Sequence, residues 1–86
     1  MSSAESLLQR MKQSKYGWKY SDILRVYEGF GFESRQGGSH LIFFHPVHRH
    51  LRATIARHRS LAVGYVQTAI SLIEALKALE SKQEKP

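Results

Sequence analysis

The sequence predicts an α+β domain in which a three-stranded antiparallel sheet carries helices on one face. Three observations support this prediction. Apolar residues recur at helical spacing towards both ends of the chain, residues 32–57 show the two-residue alternation of strands, and glycines separate these segments. A chain of 86 residues without internal repeats has room for one domain, so residues 1–86 are expected to form a single domain.

Two helices are expected before the sheet. The first runs from Ser2 to Gln13 and begins with a capping box between Ser2 and Glu5. The second is expected to be capped by the hydroxyl of Ser21 and to end at the glycines of segment 29–31. Three aromatic residues near the junction of these helices are predicted to pack in the core in preference to stacking on bases, and they are Tyr16, Trp18 and Tyr20.

Three strands are expected between residues 32 and 57. Gly37 and Gly38 are predicted to form a hairpin turn, because adjacent glycines supply the positive backbone angles of tight hairpins. The second strand, 39–45, is almost entirely apolar and is therefore expected at the centre of the sheet. The third strand, 50–57, alternates between an apolar face (Leu51, Ala53, Ile55) and a basic open face (His50, Arg52, Thr54).

A long amphipathic helix is expected from Val63 to Leu79, where it covers one face of the sheet. The tail at 81–86 is expected to be frayed. The predicted core contains the large apolar residues of the strands and of this helix, namely Ile42, Phe43, Phe44, Ile55, Ile70 and Ile73.

Charge and cysteine content restrict the class of protein. Thirteen Lys and Arg against seven Asp and Glu give a net charge of +6, which favours nucleic acid or another acidic partner. The chain has no cysteine, so disulfides and thiolate chemistry are excluded. No apolar run approaches the roughly 18 residues of a membrane helix, and the N-terminus lacks the pattern of a signal peptide. We expect a cytoplasmic protein without membrane contact.

One window combines basic residues with a candidate catalytic histidine. Residues 35–59 contain five arginines, all five histidines and no acidic residue. Cleavage of an RNA phosphodiester needs a base for the 2′-hydroxyl, an acid for the 5′-oxygen and cations for the phosphate. His40 is the favoured catalyst, since Gly38 and Ser39 present it in a turn and Arg35 lies across the hairpin. The alternative is a histidine at a strand end that only hydrogen-bonds to the hairpin.

Arg35 is expected to bind RNA. The other arginines of the window are expected either to contact RNA phosphates or to form a solvated face, and they are Arg49, Arg52, Arg57 and Arg59. His58 is a second acid, an RNA contact or a solvated strand end. We reject a metal site at His45, His48 and His50, because no carboxylate or cysteine joins them and Pro46 interrupts their spacing. Loop histidines near phosphate are the preferred interpretation, and no cofactor is expected.

Several of these features together resemble the HicA-type toxins, small ribonucleases of bacterial and phage toxin-antitoxin modules. The resemblance covers residues 20–79 and includes a leading helix that ends on Gly31-Phe32, the Arg35-x-x-Gly38-Ser39-His40 turn, an aromatic strand before His45-Pro46, the segment Thr54-Ile55-Ala56-Arg57-His58, and a closing helix. It implies an α-β-β-β-α fold like that of a double-stranded-RNA-binding domain. Residues 1–15 are then an additional helix.

The resemblance also implies a function. It makes the protein a toxin that cleaves mRNA without a metal, with His40 as general acid or base and Gly38 and Ser39 presenting it, and a HicB-like antitoxin as its partner. Two alternatives remain open. One is a non-catalytic RNA-binding module, and the other is a protein-interaction domain that docks an acidic partner.

Overall fold

The sheet of this protein has three antiparallel strands in the order β1-β2-β3, and three helices accompany it. The computed structural model describes residues 3–56 and 63–83. The elements in chain order are α1 Ser3–Gln13, α2 Tyr20–Gly29, β1 Glu33–Gly37, β2 His40–Phe44, β3 Arg52–Ala56 and α3 Val63–Gln83. The predicted α+β class is confirmed, as are the three-stranded antiparallel sheet and the additional N-terminal helix.

The core lies between one face of the sheet and the helices. The side chains of Leu41, Phe43 and Ile55 point from β2 and β3 into this layer and are buried. Tyr27 of α2 stacks on Phe43 with ring centroids 4.3 Å apart. From α3, Ile73 completes the layer. The predicted core residues Phe43, Ile55, Ile70 and Ile73 are confirmed, whereas Ile42 and Phe44 lie elsewhere, as described below.

The additional helix α1 is part of this core. Leu7, Leu8 and Met11, which recur on one face of α1, are all buried. Gly29 allows α1 to approach α2 closely, because a β carbon at this position would lie 2.1 Å from that of Ala4.

Ion pairs connect α1 to α3 at the edge of the core. Lys77 Nζ lies 3.0 Å from Glu5 Oε1, and Lys12 pairs with Glu74.

Two local expectations are corrected. The backbone N–H of Lys19 donates to Asp22 Oδ2 at 3.0 Å, so this carboxylate, rather than the hydroxyl of Ser21, satisfies the start of α2. Helix α3 continues to Gln83, through part of the tail that was expected to fray. The capping box at Ser2 lies outside the described residues.

The aromatic residues near the α1–α2 junction divide between core and solvent. Trp18 and Tyr20 pack against the core as expected, while Tyr16 is exposed. Within the described ranges, no helix is long and apolar enough to span a membrane.

Candidate nucleic-acid interface

Strand pairing places His40 on the face of the sheet that the helices do not cover. In the register, Gly37 and Ala56 flank His40, Arg35 and Thr54 flank Ile42, and Glu33 and Arg52 flank Phe44. Because directly paired residues point to the same side of a sheet, these nine residues form one surface, which we call the open face.

His40 is exposed at the first position of β2. Within the described residues its imidazole makes no hydrogen bond, which disagrees with the alternative of a histidine tied to the hairpin. Its two neighbours across the strands, Gly37 and Ala56, are among the smallest residues. Neither strand partner therefore covers the imidazole with a large side chain, a feature that the sequence motif alone did not show.

The turn before His40 differs by one residue from the expected turn. Gly37 pairs with His40, so the two-residue loop consists of Gly38 and Ser39 instead of Gly37 and Gly38. Gly38 has φ +63°, and no residue other than glycine has a positive φ within the described ranges. A positive φ at the first loop position alone is typical of a type II′ hairpin, which needs glycine there. Gly38 and Ser39 therefore lead directly into His40, as the sequence predicted.

Arginines and two apolar side chains surround a cavity further along the open face. Its volume is about 290 Å³, and its lining consists of Arg35, Ile42, Phe44, Arg49 and Arg52. The guanidinium of Arg35 lies 6.0 Å from the ring centroid of Phe44. The structure therefore brings three of the predicted RNA-binding arginines together. Arg57, His58 and Arg59 lie outside the described residues.

Ile42 and Phe44 correct the core prediction. Both are only half-buried and line the cavity on the open face. The strand period contained the signal that would have placed them there, since they follow His40 at steps of two residues and share its side of the sheet.

His45 corrects the expectation that the loop histidines lie near phosphate. Its side chain is buried, and its Nδ1 accepts hydrogen bonds at 3.1 Å from the backbone N–H groups of Val47 and His48. Phe32 contacts the ring edge to face, with centroids 5.3 Å apart. Burial lowers the pKa of His45, and the neighbouring His48 lowers it further, while Glu80 and Glu33 oppose this shift. His45 is a structural residue that holds the 45–51 loop.

The remaining loop histidines are more accessible. His48 is half-buried and His50 is exposed. Across residues 3–56 and 63–83, no group of three or more His, Cys, Asp or Glu side chains is arranged to hold a metal ion.

The element order and the open sheet face define a small α+β protein in which an α-β-β-β-α unit follows an additional N-terminal helix. A family model described as the HicA toxin of bacterial toxin-antitoxin modules matches residues 20–80. That span is most of the chain, so the protein belongs to the HicA toxin family, and the resemblance seen in the sequence is confirmed. Helix α1 precedes the matched span. Comparisons with curated proteins and with solved structures found no match.

Proposed function

We propose that this toxin-family protein is a ribonuclease that cleaves mRNA without a metal and uses His40 as general base or acid. The carrying observation is the position of His40. It is exposed, has no hydrogen bond within the described residues, and lies between Gly37 and Ala56 on the same face as Arg35 and Arg52. An exposed imidazole between small residues, on a face that also carries arginines, suits proton transfer at a phosphodiester.

The proposed reaction has a balanced set of steps. As base, His40 takes the proton of the 2′-hydroxyl while the 2′-oxygen forms a bond to phosphorus. The bond from phosphorus to the 5′-oxygen then breaks, and a proton passes to that oxygen. The products are a 2′,3′-cyclic phosphate and a 5′-hydroxyl, and arginine guanidinium groups stabilise the charge on the phosphate. His40 in the role of acid supplies the second proton instead.

The partners follow from this proposal. The substrate is mRNA, the site of action is the cytoplasm where mRNA is translated, and a HicB-like antitoxin neutralises the toxin. The positively charged open face suits an antitoxin with an acidic surface.

The test is a cleavage assay with purified protein and an mRNA transcript in the presence of a chelator. We expect the parent protein to cut and His40→Ala to lose at least about 100-fold in rate, the usual size of a general acid or base contribution. The matched control is His50→Ala, which removes another exposed histidine from the same basic window; as a phosphate contact it should lose far less than His40→Ala. Circular dichroism checks that each variant is folded.

Four results would contradict the proposal. Undiminished cutting by folded His40→Ala excludes His40 as the catalyst. Cutting that chelator abolishes supports metal chemistry instead. If the parent protein binds RNA but never cuts it, the alternative of a non-catalytic RNA-binding module is correct. If it binds an acidic protein and RNA does not compete, the alternative of a protein-interaction domain is correct.

A further inference from the structure

The cavity on the open face is lined by an aromatic ring and by arginine side chains. Phe44 is half-buried there instead of joining the core, and Arg35, Arg49 and Arg52 line the same space. Ile42 adds an apolar surface beside the ring. The combination is more specific than a basic patch, because one cavity of about 290 Å³ contains both a flat aromatic ring and the guanidinium groups of several arginines, which donate paired hydrogen bonds.

A nucleotide is the ligand whose chemistry fits both parts. Bases stack on aromatic rings and on guanidinium planes, and phosphates accept paired hydrogen bonds from arginine. The guanidinium of Arg35 lies over the ring of Phe44, 6.0 Å from its centroid, so a base that enters between them stacks on the ring and meets the guanidinium on its other face.

We propose that this cavity binds one nucleotide of a single-stranded RNA, with its base stacked on Phe44 and its phosphate held by Arg49 and Arg52. The proposal rests on the proposed function in that it takes RNA as the ligand of the open face. It requires an unpaired nucleotide, since a base within a duplex is covered by its neighbours and cannot place its face on Phe44.

The register determines where the phosphate lies. Glu33 and Arg52 flank Phe44 on opposite sides, and Glu33 is the single acidic residue of the three strands. Repulsion by its carboxylate keeps the phosphate on the opposite side of the ring, near β3 and Arg49.

The nucleotide in the cavity is distinct from the one that is cut. His40 and Phe44 are four residues apart in β2, which corresponds to about 13 Å at the usual rise of a strand. Phe44 is therefore a substrate-binding residue. Its loss should raise KM and leave kcat nearly unchanged, whereas loss of His40 lowers kcat.

The binding experiment uses the full-length His40→Ala protein, which keeps the RNA intact, and a fluorescent single-stranded oligouridylate. Adding Phe44→Ala should weaken the affinity about 5- to 160-fold, the range for loss of one stacked base. Phe44→Trp should restore it. Val47→Ala is the matched control, because Val47 is an exposed apolar residue that is not part of the cavity lining. Thermal unfolding checks the fold of each variant.

The outcomes separate this proposal from the ribonuclease proposal. If Phe44→Ala leaves the affinity unchanged, or leaves KM unchanged in a protein that still cuts RNA, the proposal that the cavity binds a nucleotide is wrong. The ribonuclease proposal is not affected by that result. Binding that depends on Phe44 in a parent protein that never cuts supports the cavity and overturns the ribonuclease. Tighter binding of an RNA duplex, independent of residue 44, overturns the assignment to single strands.

Discussion

The histidines at the two ends of β2, His40 at its start and His45 directly after it, have opposite surroundings. His40 is exposed and makes no hydrogen bond within the described residues, whereas His45 is only 6% exposed and accepts two backbone hydrogen bonds at Nδ1. Acceptance at Nδ1 requires the neutral ring with its proton on Nε2. The same residue type is thus available for chemistry at one end of the strand and engaged in structure at the other.

His45 makes the stability of the protein sensitive to acid. Its pKa in the folded state is lowered, first by burial and then by His48, so the unfolded chain takes up the proton more readily. The stabilisation that neutral His45 gives the folded state is complete above the ordinary histidine pKa of about 6.5. It is lost as the pH falls through the lower pKa that His45 has in the folded protein. Protonation at Nδ1 also removes the acceptor of the Val47 and His48 N–H groups.

We therefore expect the urea concentration at the unfolding midpoint of the parent protein to decrease when the pH is lowered from 7.5 to 5. His45→Asn should show a smaller fall, because an amide oxygen can accept the same hydrogen bonds without titrating. His45→Ala should lose about 1–3 kcal/mol at neutral pH, since two N–H groups lose their acceptor. His50→Asn is the control for an exposed histidine. Equal acid sensitivity of the parent and His45→Asn would show that His45 is not responsible.

At the scale of elements, α1 is an addition to the family span that has become part of the core. It precedes residues 20–80, yet Leu7, Leu8 and Met11 are buried against the rest of the protein. The close approach of α1 to α2 depends on the missing side chain at Gly29.

We expect Gly29→Ala to destabilise the protein by about 1–3 kcal/mol, because the new methyl group overlaps Ala4 and forces the helices apart. Gly64→Ala is the matched control within α3. Among the described residues, a β carbon there meets no atom of another segment within 4 Å, so this variant should gain about 0.4–1 kcal/mol. Chemical denaturation measures both. Adding Ala4→Gly to Gly29→Ala should recover part of the loss, and a Gly29→Ala protein as stable as the parent would refute the close packing.

For the whole molecule, the distribution of charge matters more than its total. The net charge is +6, but the acid-free window from residue 35 to residue 59 supplies the arginines of the open face. Helix α2, which contributes to the core on the other face of the sheet, carries acidic residues as well as Arg25. An RNA backbone is therefore expected to bind the open face.

We expect the affinity of the His40→Ala protein for single-stranded RNA to fall as salt rises. Arg52→Ala should reduce the slope of log affinity against log salt by about 0.7, the value for one lost phosphate contact. Arg25→Ala removes an exposed arginine from α2 and should leave the slope unchanged. Fluorescence anisotropy at several salt concentrations gives both slopes. Equal reductions in the two variants would mean that RNA binding is not confined to the open face.

The sequence by itself determined the order of elements and the position of the candidate catalyst. Three local patterns can be recognised in the sequence without knowledge of the fold: the helical period of α3, the alternation in β3 and the glycine turn before His40. The Gly-Ser-His turn within that order also sufficed to indicate the family, which the match to residues 20–80 then confirmed.

Only the tertiary structure decided which way the apolar residues of β2 face and what His45 does. The two-residue period groups Ile42 and Phe44 with His40, but a nearly continuous apolar strand does not show which of its two sides the helices cover, so only the packing makes Phe43 core and leaves Phe44 to line the cavity. The packing of α1 against Gly29 and the hydrogen bonds of His45 depend on how distant segments and the 45–51 loop meet. Such contacts arise from the three-dimensional arrangement, and no local period encodes them.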